Sequence, residues 1–99
     1  MGGQPLEKGI FMQEAYEYKY ISTATTTQVK TGTGVLHAIV VSGALAGAVS
    51  VIDNTTGSTI NIGTLKASAP AGTYTFDVAF TTGLRIITAG ADAITVVYR

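Results

Sequence analysis

From Tyr18 to Arg99 apolar and polar residues alternate in short runs that glycine, asparagine and proline interrupt. The clearest run is 73–80, which puts Tyr74, Phe76, Val78 and Phe80 on one side and Thr73, Thr75, Asp77 and Ala79 on the other. Successive side chains of a strand point to opposite faces, so a period of two reads as a half-buried β-strand. Comparable runs cover 18–22, 25–30, 35–42, 48–52, 59–65, 84–88 and 93–98. Between them lie turn signals at 30–34, 43–47, 53–57, 67–72, 81–83 and 89–92, rich in Gly and in Asn or Asp. Glycine tolerates the left-handed backbone of tight turns, and Asn and Asp bond their own backbone there. No stretch holds a long helical period. The pattern predicts an all-β fold, a seven- to eight-stranded antiparallel β-sandwich, jelly-roll-like or Ig-like. Its core is expected from Tyr74, Phe76, Val78 and Phe80, from Leu84 and Ile86, and from Ile94, Val96 and Tyr98.

Two regions depart from simple alternation. The run 35–41 is apolar on both faces, with Leu36, Ala38 and Val40 on one and Val35, His37, Ile39 and Val41 on the other. A strand apolar on both sides is covered by a loop or arm, or lies at a subunit contact. The same region begins an uncharged stretch, 35–52, near the length of a short membrane span. Gly43, Gly47, His37, Ser42, Ser50 and the β-branched pairs within it read instead as two strands and a loop. The second region is the N-terminus. Residues 1–19 hold five of the twelve charges together with Leu6, Ile10, Phe11 and Met12. Gly2, Gly3, Pro5 and Gly9 prevent a continuous helix, leaving room for one helical turn near 11–15. The expected organisation is an extended N-terminal arm, 1–19, on a sandwich domain, 20–99, with the arm docking through Ile10, Phe11 and Met12. It lacks the cationic start and apolar core of a signal peptide.

Composition sharpens this picture. Only 12% of the 99 residues are charged, whereas about a quarter is usual. All sixteen threonines lie beyond residue 20, so the outer faces are hydroxyl-rich rather than charged. A surface of that kind fits repeated contact with other protein. Net charge is zero and no cationic stripe exists, which argues against nucleic acid as the main partner. With no cysteine the fold needs no oxidising compartment.

Candidate chemistry is sparse. His37 is the only histidine, and its strand neighbours offer no nucleophile or carboxylate. Asp53 and Asp92 fall at turns, where Asp caps its own backbone, and Asp77 faces outward, with Lys66 or Arg85 as a cross-strand partner. The 53–57 loop lacks the later bidentate Glu of a calcium loop, and 31–34 lacks a phosphate-loop pattern. No catalytic residue, metal ligand, cofactor site or small-molecule substrate is expected, and no enzyme activity. Tyr16, Tyr18 and Tyr20, spaced by two, line one face of a strand. They read as an edge strand on the core, as an inter-subunit contact, or as a sugar-stacking platform.

The segments 20–27, 34–37, 53–54, 72–78 and 94–98 resemble small proteins encoded among the virion genes of tailed bacteriophages and prophages. The resemblance runs from about Tyr18 to the end of the chain and omits the arm. It implies a structural role in a virion assembled in the bacterial cytoplasm, and no catalytic residue. The first expectation is a capsid decoration or cement protein that binds the major capsid protein as a homo-oligomer, by analogy a trimer, and stabilises the shell. The alternatives are a head–tail connector or tail component, and a carbohydrate- or receptor-binding module. The expected interface residues are Ile10, Phe11, Met12, Tyr16, Tyr18, Tyr20, Val35, His37, Ile39 and Val41.

Overall fold

The computed structural model describes residues 15–99. Eight strands follow one another: β1 (Glu17–Ile21), β2 (Thr26–Thr31), β3 (Gly34–Val41), β4 (Val49–Asp53), β5 (Asn61–Leu65), β6 (Gly72–Phe80), β7 (Gly83–Thr88) and β8 (Ile94–Tyr98). Each matches an expected run to within a few residues. They form two four-stranded sheets, ordered β1-β8-β3-β6 and β2-β7-β4-β5, and every pair is antiparallel. The chain passes from sheet to sheet between β1, β2, β3 and β4, and again between β5, β6, β7 and β8. This eight-stranded order is that of a jelly roll, which decides between the two expected outlines. No helix among the described residues is long and apolar enough to cross a membrane, and 35–52 forms β3, a loop and β4.

The core lies between the sheets, where Leu36, Ile39, Phe80, Leu84, Ile86 and Ile94 are fully buried. Tyr74, Phe76, Val78 and Tyr98 pack against it, so the expected inward face of β6 and β8 is found inside. Gly63 of β5 leaves room for the ring of Phe76 from the opposite sheet. Between β3 and β4 the loop dips inward and buries Leu45, whose backbone bonds those of Ser68 and Ala69. Gly47 meets Gly90 backbone to backbone, and a side chain on either would collide there. Asp92 fastens this junction by accepting from the N–H groups of Ala46, at 2.8 and 3.0 Å, and Gly47, at 3.2 Å.

One end of the outer face of the β2-β7-β4-β5 sheet is covered by its own loop. Gln28 and Arg85 stand directly opposite each other, and Arg85 Nη1 donates to Gln28 Oε1 at 2.9 Å. Arg85 also donates to the carbonyls of Thr55 and Gly57, and Gln28 donates to that of Asn54. The 54–57 loop is thereby drawn over the sheet. Ile52, which shares the outward register of its neighbour Arg85, is 1% exposed.

Two expectations change. The sandwich begins at Glu17 rather than at 20, because Glu17, Tyr18 and Lys19 pair with Tyr98, Val97 and Val96. In β3, alternation fails at His37. Against β8, Leu36 pairs with Tyr98 and Ala38 with Val97, which leaves His37 as the extra residue of a β-bulge that reverses which residues of β3 face inward. Ile39 and Val41 are therefore core residues, 0% and 2% exposed, and unavailable to a partner chain. They were expected at an interface because strict alternation carried His37 outward and Ile39 and Val41 with it.

Candidate functional site: the outer face of the β1-β8-β3-β6 sheet

Among the described residues no loop is drawn over the second sheet's outer face in this way, although Ala38 within it is buried. The registers place two rows across it. One is Tyr20, Thr95, Val40 and Thr73; the next is Tyr18, Val97, Ala38 and Thr75. Neither row contains a charge. Tyr18 is 73% exposed, Tyr20 56% and Val40 37%. A face of aromatic, aliphatic and hydroxyl groups without charges has the composition of a protein contact, since interface cores are enriched in Tyr and depleted of charge. The hydroxyl alternation in β6 supplies Thr73 and Thr75, and the short edge strand β1 supplies the tyrosines.

At one end of this face the polar groups gather. The β-bulge turns His37 outward, and Asp77, held in the left-handed region at φ 49°, turns toward it. His37 Nδ1 lies 2.5 Å from Asp77 Oδ1. A carboxylate can only accept, so this pairing places the hydrogen on Nδ1. The Tyr16 ring stacks on the His37 ring, with centroids 4.4 Å apart and planes 18° apart. The Arg99 guanidinium stands over Tyr16, 5.0 Å from its centroid. Tyr16 therefore leans from the β1 edge across β8 to reach β3.

Of the expected interface residues, the structure brings Tyr16, Tyr18, Tyr20 and His37 onto this face and leaves Val35 half-buried beside it. Ile39 and Val41 are in the core, and Ile10, Phe11 and Met12 lie outside the described residues. Asp77, given Lys66 or Arg85 as partner from sequence, pairs with His37 instead. Asp53 and Asp92 do hold turns, but turns distant in sequence rather than their own. The one local signal for Asp77 was a carboxylate in the middle of a clean strand, where Asp tolerates the left-handed backbone that other residues avoid.

His37 and Asp77 form a side-chain pair on this sheet face. Among the described residues no pocket adjoins them, and no three His, Cys, Asp or Glu side chains converge as metal ligands would. Every described carboxylate is engaged: Glu17 with the Tyr98 hydroxyl, Asp53 with the 81–83 turn, Asp77 with His37 and Asp92 with the 46–47 backbone. Burial, and then the neighbouring Glu17 charge, raise the Tyr98 phenol above its ordinary pKa.

No family model and no curated protein matches the chain. Among solved structures it is similar to Drosophila NLP-core, with a TM-score of 0.59 at 16% identity, over 87% of this chain and 97% of that one. The NLP-core crystal structure was described for the insight it gives into pentamer formation and histone binding. At that identity the likeness concerns the fold.

Proposed function

We propose that this protein is a structural component of a tailed-bacteriophage virion, acting as a homo-oligomeric capsid decoration or cement protein. One observation carries the reading: a jelly roll without a pocket among its described residues presents two charge-free rows on one sheet face, with Tyr18, Tyr20 and Val40 exposed. Such a face contributes contact area rather than chemistry. In a particle, many copies each add modest binding energy, and symmetry multiplies it into shell stability. The virion setting comes from the resemblance of 18–99 to phage structural proteins. Pentamer formation by NLP-core supports the oligomeric part of this reading.

Histone binding does not transfer in the same way. A basic partner is favoured by an acidic excess, and this chain has six acidic and six basic residues with a net charge of zero. The sugar-platform reading is weakened too, because Tyr16 already stacks on His37 beneath Arg99.

The test is location and copy number in purified particles, together with binding to undecorated shells. Hundreds of copies on the head and a gain in heat resistance of the shells support decoration. Six or twelve copies at the portal or tail move the protein to the connector reading, and absence from particles removes both. A flat glycan-array response closes the carbohydrate alternative.

A further inference from the structure

We propose that the free edge of β5, with Ile60 at its head, pairs antiparallel with the same edge of a second copy of this chain, about a two-fold axis at Gly63. The two sheets end in four edge strands, β1, β6, β2 and β5. An open edge is a row of unpaired N–H and C=O groups that another strand can extend, and charges or irregularities along it suppress such pairing. Three of the four edges carry a charge within the strand. In β1, Glu17 and Lys19 share the inward register of Tyr98 and Val96, which places charge on the inner side of that edge. In β2, Lys30 stands beside a break in register. In β6, Asp77 interrupts the nine-residue strand with a left-handed backbone. By contrast β5 carries neither charge nor proline, and it pairs with β4 alone. Its one irregularity, at Ile62, goes with a side chain packed on the core.

Ile60 supplies an anchor. It is 62% exposed, and its φ of 64° lies in the left-handed region, where a β-branched residue is a true outlier. Such strain persists only where the surrounding structure imposes it. Here the Asp53 N–H donates to the Ile60 carbonyl at 2.9 Å. The fold thus holds an apolar side chain in water, against its backbone preference, beside the one uncharged edge. A second copy suits this edge because the edge matches itself. A two-fold at Gly63 sets Ile62 against Thr64, Asn61 against Leu65, and Ile60 against the aliphatic stem of Lys66. Residues 54–65 contain no charge, so no like charges meet across the pair. The two Lys66 ammonium groups fall at opposite ends, roughly 20 Å apart and beyond the screening length of physiological salt. Because β5 belongs to the other sheet, the tyrosine face of β1-β8-β3-β6 stays open. The inference adds a contact to the proposed homo-oligomer and is independent of the virion setting.

Sedimentation equilibrium of the full chain, from micromolar to millimolar concentration, tests the pairing. The wild type should form dimers. Thr64 is exposed and lies next to the axis, so Thr64→Lys and Thr64→Glu should each weaken the dimer severalfold at an unchanged melting temperature. An equimolar mixture of the two variants should restore it, because opposite charges then meet across the axis. A wild type that stays monomeric, dimers untouched by both substitutions, or a mixture no tighter than either variant alone would each overturn the proposal. Ile60→Asn provides a second measurement. Asparagine tolerates the left-handed backbone, so the dilute chain should melt higher while its dimer weakens, and an unchanged dimer would count against the proposal. In Tyr18→Ala, which removes contact through the sheet face, the dimer should persist; its loss there would move the contact to that face and sink the idea. Absence from phage particles would remove the proposed function and leave these results standing.

Discussion

The carboxylate of Asp53, at the end of β4, accepts the backbone N–H of Thr82 at 2.8 Å across 29 residues of sequence. It also accepts from the N–H groups of Thr81 and Gly83 and from the Thr81 hydroxyl, so one side chain organises the turn between β6 and β7. The Thr81 N–H, followed by those of Thr82 and Gly83, outweighs desolvation and holds the carboxyl below its ordinary 3.8. A group whose folded value is lowered stabilises the fold above its unfolded value. Its contribution is complete above about pH 4 and is lost as pH falls through the lower folded value. Asp53→Asn should cost about 1 kcal/mol at neutral pH, a hydrogen-bond value discounted for the wet surface. It should also flatten this part of the acid limb. Chemical denaturation between pH 2 and 7 measures both, and an unchanged acid limb in the variant would count against this role.

His37 and Asp77 set the position of Tyr16. As the only histidine, His37 gives ring-proton signals that need no assignment by elimination. Tyr16→Ala should move those signals downfield by removing the stacked ring, while Tyr16→Phe leaves them in place. Asp77→Ala should destabilise the fold more than Asp77→Asn does, by about 1 kcal/mol, because the positive φ penalises alanine more than asparagine. NMR spectra and thermal melts of the four variants check both orderings.

The bulge in β3 separates core from surface among residues that strict alternation would group together. Ile39→Ala should cost about 2–5 kcal/mol, as a large-to-small change in a closed core does. Tyr18→Ala, at the most exposed tyrosine, should leave stability within about 0.5 kcal/mol of the wild type and reduce assembly instead. Urea melts combined with light scattering separate the two effects, and a stable, assembly-defective Ile39→Ala would contradict the observed register.

Arg85 fixes the loop that covers Ile52. Arg85→Ala removes donors to Thr55, Gly57 and Gln28 and uncovers an apolar side chain. A loss of about 1–3 kcal/mol is expected. Amide exchange should accelerate at 54–60 before it does in β4 or β7, and uniform acceleration would instead mean that the loop opens only with the whole domain.

The strands were legible because alternation and turn residues are local. Tyr74, Phe76, Val78 and Phe80 read inward in the sequence and pack inward in the fold, and the uncharged outer face was visible in the concentration of threonine. The bulge was not legible, since one unpaired position at His37 leaves no mark on composition and yet moves Ile39 and Val41 into the core. The partners of Asp53, Asp77 and Asp92 were hidden for a different reason. Each contact crosses between elements far apart in the chain, 46 residues in the case of Asp92 and Ala46. Local turn chemistry cannot show which distant backbone a carboxylate will meet.

The pairing of β1 with β8 sets an order of events in folding. The Tyr98 hydroxyl reaches Glu17 over 81 residues, and β8 is also the strand that separates β1 from β3. Until the last strand is in place, β1 has nowhere to pair and Ile21 has no neighbour in Ile94. A chain emerging from the ribosome must hold β1 unpaired until β8 has been made, with Glu17 and Tyr98 81 residues apart, a topology that closes late and folds slowly for its size. The same closure joins the two ends of the domain, so forces applied at Glu17 and Tyr98 would load a single strand pair directly.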